Sequence, residues 1–174
     1  MMRNATNEVI ILGTAARVME LAFDLPRWPS FLPHYRWVRV LDEQDGRRTV
    51  EMACRRSGIP LKWRSHLWTY PEERRMRFLH IGGPAKGMEV TWTLREEGEA
   101  VRVTIHHDLS LQLPIIRSSL GRWVVGEVFV SAVAGKTLAC LKAAVEMGKD
   151  DGLPPARGGG RACPERSEGM KAEG

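Results

Sequence analysis

The chain has 174 residues, enough for one domain with a sizeable core. Its 43% hydrophobic and 27% charged content excludes a low-complexity or wholly disordered chain. The formal net charge of +5 admits anionic partners but does not bear on fold.

Glu8 to Leu12 reads as a short strand of branched residues, broken by Gly13-Thr14. Thr14 can cap a helix over about 15–23, with Val18, Leu21 and Ala22 on one face. A corner follows at Asp24-Leu25-Pro26-Arg27-Trp28-Pro29-Ser30-Phe31-Leu32-Pro33. Its three prolines fix φ and remove backbone donors, so no regular element is expected to run through it. Trp28, Phe31 and Leu32 are held there as large apolar groups, and Tyr35 closes its downstream end.

From Tyr35 the period switches to two. Strands are expected over about 35–42, 48–57, 60–70, 75–82, 87–96 and 100–111, separated by turn signals such as Asp45-Gly46, Gly82-Gly83-Pro84 and Glu97-Gly98. Short turns between successive strands predict an antiparallel meander. With the first strand, the sheet has about seven strands. One parity carries Val50, Met52, Cys54, Trp63, Ser65, Leu67, Met76, Phe78, His80, Val90, Trp92, Ile105 and His107. The other carries Arg55, Lys62, Arg64, Arg75, Arg77 and Arg102 with threonines and acids. Such a sheet is covered on one face only. The strand at 35–42 is ambiguous, with apolar groups at both parities.

The cover is expected from a helix over about 120–148, long enough to cross the sheet. Val125, Phe129, Ala132, Val133, Lys136, Ala139, Cys140, Ala143 and Met147 recur near helical spacing along it. The domain is expected to end near residue 150. Residues 151–174 are rich in Gly, Pro, Arg, Glu and Ser, and are expected to be disordered. That tail balances four basic against four acidic groups, so the positive excess belongs to the domain. Cys54, Cys140 and Cys163 are odd in number and widely spaced, which suggests reduced thiols and no zinc site. No signal pattern is visible at the N-terminus, and no apolar run approaches the ~20 residues of a membrane span. A cytoplasmic location is expected, with possible peripheral contact with membrane.

The order of strand, aromatic proline corner, six antiparallel strands and long helix resembles the helix-grip fold of the START-like (SRPBCC) superfamily, an α+β class. Within it the chain is similar to the polyketide cyclase/dehydrase and lipid-transport family, including coenzyme Q-binding proteins and aromatase/cyclases. The resemblance rests on Asp24, Trp28-Pro29, Phe31-Leu32-Pro33, Trp63, Ser65, Pro71-Glu72-Glu73-Arg74-Arg75, Trp92 and His107-Asp108-Leu109. It implies two short helices after the first strand. It also implies a cavity between sheet and C-terminal helix for a lipid, isoprenoid quinone or polyketide-like guest. Aromatase/cyclase relatives carry a pocket tyrosine near the Tyr35 position and an arginine before the Trp63 equivalent. Leu61 stands nearest that arginine here.

The expected ligand-binding residues are Trp28, Phe31, Leu32, Trp63, Ser65, Phe78, His80, Val90, Trp92, Ile105, His107, Val125 and Phe129. His80, His107 and Tyr35 are the candidates for proton transfer or hydrogen bonding. His66 and His106 have outward parity and are expected to be solvated. No hydrolytic triad is spaced in the chain, and neither a cofactor nor a metal is expected. A non-catalytic carrier of a hydrophobic small molecule is therefore the leading expectation, and a cyclase/dehydratase is the alternative. The guest would pass the 24–34 corner and the 82–87 loop, whose glycines permit movement. An interaction module using the basic outer face is a third reading. It would suit an anionic membrane, since no nucleic-acid motif is present.

Overall fold

The computed structural model describes residues 4–56, 58–108 and 132–148. Strand β1 (Ala5–Leu12) leads into helix α1 (Ala15–Ala22). A 3-10 turn (Leu25–Arg27) and a one-turn helix α2 (Trp28–Phe31) follow. Then come β2 (Tyr35–Gln44), β3 (Arg47–Arg56), β4 (Ile59–Tyr70), β5 (Arg75–Gly82), β6 (Glu89–Glu97), β7 (Ala100–Asp108) and helix α3 (Ala134–Met147). The seven strands form one antiparallel sheet in the order β1-β7-β6-β5-β4-β3-β2. The meander is thus closed on its far side by the first strand pairing with the last.

Local chemistry explains the N-terminal pieces. Thr14 caps α1, its hydroxyl accepting from the Arg17 backbone at 3.3 Å. The α1 face buries Ala15, Val18, Leu21 and Ala22. The proline corner is more regular than its sequence suggests, because Pro26 and Pro29 occupy the first turns of the 3-10 segment and of α2. There a missing N–H costs nothing. Trp28 anchors the corner by donating from its indole nitrogen to the Ala22 carbonyl at 3.2 Å.

The inward parity of β3 to β7 is as the period-two pattern requires, and those side chains are buried. The ambiguity of β2 has a physical cause. Its register with β3 shifts between Tyr35 and Trp37 and again between Val40 and Asp42. Each irregularity reverses which parity faces the core. Tyr35 and Val38 are buried while Val40 and Leu41 are exposed.

The described part of the covering helix starts at Ala134; Val125, Phe129 and the rest of the expected 120–133 stretch up to Ser131 lie outside the described residues. The buried face of α3 is Ala134, Thr137, Leu138, Cys140, Leu141 and Val145. This corrects the expected face: Ala139 and Met147 are exposed, and Lys136 and Ala143 are only half-buried. The Leu138-Leu141-Val145 stripe carries more apolar area than the alanines one residue ahead, so the helix rotates to bury it. Cys54 is a buried free thiol. Cys140 is disulfide-bonded, which corrects the expectation of reduced thiols for that residue. Three cysteines preclude a fully paired set but leave room for one pair.

The loop from β5 to β6 folds tightly against β4. Gly83 has φ +90°, and a Cβ there would lie 2.6 Å from the Lys62 carbonyl oxygen and 2.8 Å from the Trp63 Cβ. Gly46, in the β2–β3 turn, also has positive φ but open space around it. Gly83→Ala should therefore lower unfolding stability by about 3 kcal/mol and Gly46→Ala by about 1 kcal/mol, read from urea denaturation midpoints. Equal losses would show that the loop does not bear on β4 as described.

Candidate functional site

Five rings run in contact across the inner face. Trp92 lies 5.6 Å from Trp28, Trp28 is edge-on to Tyr35 at 5.2 Å, Tyr35 meets Trp63 at 6.1 Å, and Trp63 meets His80 at 6.2 Å between centroids. Each such pair contributes about 0.5–1.5 kcal/mol beyond its area. β4, β5 and β6 supply Trp63, His80 and Trp92, while the corner supplies Trp28 and Tyr35.

These rings border a cavity of about 50 Å³. Of the expected ligand-binding residues, Trp28, Trp63, Phe78, His80, Val90, Trp92, Ile105 and His107 line it, together with Tyr35. Met52, Met88, Val133, Ala134 and Thr137 also line it and were not expected there. Phe31 and Leu32 are not part of the lining; Leu32 is buried in the core and Phe31 packs against it. Ser65 stands behind His80, its hydroxyl 2.6 Å from the ring Nδ1. His66 and His106 are half-buried on the outer face, each against a threonine (Thr49 at 3.2 Å, Thr6 at 3.1 Å).

Burial governs the electrostatics. Desolvation, with His107 nearby, pushes His80 down to about 3. Desolvation likewise lowers His107 to about 4, against a smaller raising effect of the Ala5 backbone. Both rings are neutral at pH 7, and each offers one donor and one acceptor nitrogen. His107 is buried, and its Nδ1 has no partner among the described residues. Burial also raises Tyr35 well above the usual phenol range, so it stays a neutral hydroxyl. Burial raises Cys54 to about 11, which leaves it a thiol without nucleophilic character.

A second polar group was missed in the sequence. His34 is buried at the end of the corner and is lowered to about 4 by desolvation and by Lys136. Thr137 Oγ1 donates to the Val133 carbonyl at 2.7 Å. Its lone pairs are then left to accept from His34 Nε2 at 2.9 Å. This assigns the Nε2–H tautomer to His34. It also ties α3 to the corner inside an apolar interior, with His34 Nδ1 left without a partner among the described residues. A lone His beside proline, and a Thr in a helix, carry no periodic signal that could have revealed the pair.

Among the described residues, the lining contains no Lys, Arg, Asp or Glu. Among the described residues, no cluster of three His, Cys, Asp or Glu side chains is arranged to hold a metal ion. The arrangement can therefore hold an apolar body and hydrogen-bond one or two neutral polar groups on it. The Thr137 linkage is directly testable. Thr137→Val should cost about 1–3 kcal/mol by leaving the buried His34 donor without an acceptor, and Thr137→Ser should restore most of it in thermal or urea unfolding. Equal stability of the Val and Ser variants would refute the linkage.

The sequence matches the family model for polyketide cyclase / dehydrase and lipid transport over residues 13–131. It matches no curated protein. Among solved structures, the chain is similar to Zhui aromatase/cyclase from a Streptomyces species, at 18% identity and a TM-score of 0.75, covering 86% of this chain and 96% of that one. It is similar to TTHA0849 from Thermus thermophilus at 24% identity and a TM-score of 0.70, covering 82% of this chain and 97% of that one. A START superfamily protein from Mycobacterium smegmatis has 16% identity and a TM-score of 0.66, with 83% and 97% covered. These likenesses show the fold, a START-like helix grip. With most of its length matched by the family model, the chain belongs to the polyketide cyclase/dehydrase and lipid-transport family.

Proposed function

We propose that the protein binds a hydrophobic small molecule in the cavity between sheet and α3, and acts as its carrier. The observation that carries this reading is the lining: aromatic and aliphatic walls with His80, His107, Tyr35 and Thr137 as neutral polar groups. Small-molecule sites are built in this way, mostly apolar with a few placed hydrogen-bonding groups. The family to which the chain belongs, and the aromatase/cyclase similar to it, support a lipid-, quinone- or polyketide-like guest.

The volume sets a condition on this reading. About 50 Å³ holds one or two waters, whereas sites for drug-sized ligands reach roughly 300–1,000 Å³. The described cavity is therefore too narrow for such a guest, which must displace side chains to be held. Met52 and Met88 are suited to this because their unbranched side chains change rotamer at low cost.

The second reading is a cyclase/dehydratase, and it rests on one observation: His80, His107 and Tyr35 converge on the same cavity. Against it stands the absence of a cation among the described lining residues, since stabilising an enolate needs a donor aimed at the developing charge. Leu61, at the expected arginine position, is a half-buried aliphatic paired with Cys54.

Native mass spectrometry of gently purified protein should reveal a bound hydrophobic mass, and titration with a quinone or fatty acid should quench tryptophan fluorescence. Ala134→Leu, which fills the cavity wall, should weaken that binding by about tenfold with the fold intact. Protein that arrives empty and binds neither probe would sink the carrier reading. Unchanged product distribution in Tyr35→Phe and His107→Ala on a polyketide chain would remove the cyclase.

The buried histidines also predict acid sensitivity. His34, His80 and His107 have folded pKa values below the usual 6.5, so the unfolded chain binds more protons between about pH 6.5 and 4. Stability should be fully present above pH 6.5 and should fall as pH drops. The slope near pH 5 should approach about 4 kcal/mol per pH unit for three such groups, and His107→Phe should reduce it by about a third. Denaturation midpoints that stay constant down to pH 5 would contradict this.

A further inference from the structure

We propose that the cavity end of the sheet docks on an anionic lipid surface, with the β3–β4 turn as its tip. Strand direction gathers the start of β2, the β3–β4 turn, the β5–β6 loop and the end of β7 at one end of the sheet. The cavity residues Tyr35, Trp63, His80 and His107 belong to those same strand ends.

Charge is divided between the two ends. Arg36, Arg39, Arg55, Arg56, Lys62 and Lys86 stand at the cavity end, where Glu51, Glu89 and Asp108 are the acids on the strands. The three turns at the opposite end carry Asp45, Glu72, Glu73, Glu96, Glu97 and Glu99. Arginines toward that end are drawn into pairs: Arg74 with Glu96 at 2.7 Å, Arg75 with Glu73 at 2.7 Å, and Arg102 with Glu97 at 2.8 Å. Arg48 lies across from Glu43 in the β2–β3 ladder. The outer sheet face as a whole is thus largely self-neutralised, with Arg77 also held by Glu89 at 2.7 Å. At the cavity end the balance differs. Among the described residues, Arg36, Arg39 and Arg55 form no ion pair, and the nearby acid on β3, Glu51, is already held by Arg64 at 3.0 Å.

The apolar component sits at the same place. Ile59, on the β3–β4 turn, is 63% exposed, more than any other exposed large hydrophobic among the described residues. Gly58 beside it is exposed, with open space around it. An apolar tip ringed by cations suits a bilayer interface, where the side chain enters the acyl boundary and the cations meet phosphates. The other end, where acids and arginines neutralise one another, offers no such attraction, which orients the cavity end toward the lipid. A single-stranded nucleic acid would instead need exposed rings to stack on. The ring at this corner, Trp37, is half-buried and overlaid by Arg36 at 5.8 Å and Arg39 at 5.1 Å. The inference does not depend on the carrier reading.

The test is co-sedimentation of the full chain with phosphatidylcholine vesicles, with and without roughly one-third phosphatidylglycerol. Partitioning should be at least ~10-fold stronger on the anionic vesicles and should fall with added salt. The Arg55→Glu/Lys62→Glu variant should lose more than about 10-fold, and Ile59→Ser about 5-fold. Arg95→Glu makes a single charge reversal at the acidic end and should leave partitioning nearly unchanged. All these positions are exposed, and near-ultraviolet circular dichroism would verify the fold of each variant. Equal partitioning on both vesicle types would overturn the proposal. So would corner variants that bind like the parent, or an Arg95→Glu loss as large as theirs. Displacement from vesicles by a uridine oligonucleotide at matched charge would reassign the corner to nucleic acid.

Discussion

A sheet with one apolar face must be covered, and the rest of this structure follows from that constraint. Burying a Val, Leu, Ile, Phe or Met side chain contributes about 1.5–3 kcal/mol, and β3 to β7 present ten such buried groups on a single face, with Trp63 and Trp92 beside them. α3 covers part of that face with its Leu138-Leu141-Val145 stripe, α1 adds another part, and the proline corner fills the remainder with Trp28 and Leu32. The hydrogen bond between His34 and Thr137 ties corner and helix to each other. What the cover does not fill is the aromatic-lined cavity.

That cavity records a conflict between packing and binding. Five linked rings and two methionines close it to about 50 Å³, which favours the empty fold. The histidines within it are kept neutral by the same burial, so they serve as hydrogen-bonding groups rather than charges. Binding must exchange some ring and methionine contacts for guest contacts. The nearby β5–β6 loop is pressed onto β4 at Gly83, so entry by moving that loop would break close backbone contact. Movement of side chains, or of the corner, disturbs fewer such contacts.

Much of this was legible from residue order. Strand parity was readable because a one-sided sheet imposes an unbroken period of two, and His80 and His107 were placed inward by that period alone. The α1 cap at Thr14 was readable for similarly local reasons. The phase of α3 was misread because alanines at helical spacing look apolar without contributing much area, and Lys136 among them was a contrary sign. The β2 bulges concealed parity, since each irregularity reverses the faces. Phe31 and Leu32 are expected at the pocket because they stand in the corner that a guest would pass. Its short helix instead turns Leu32 into the core and leaves Trp28 at the cavity. The His34–Thr137 pair joins residues 103 apart in the chain, and no local pattern encodes such a contact.

The central claim is that a guest occupies the space between the sheet and α3. Methyl-resolved nuclear magnetic resonance during titration with a naphthoquinone or medium-chain fatty acid tests it most directly. The account predicts saturable shifts at Met52, Met88, Val90, Ile105 and Val133, with Ile10, Leu12 and Ile59 unmoved. Shifts confined to the exposed methyls, with the cavity methyls unchanged, would contradict it.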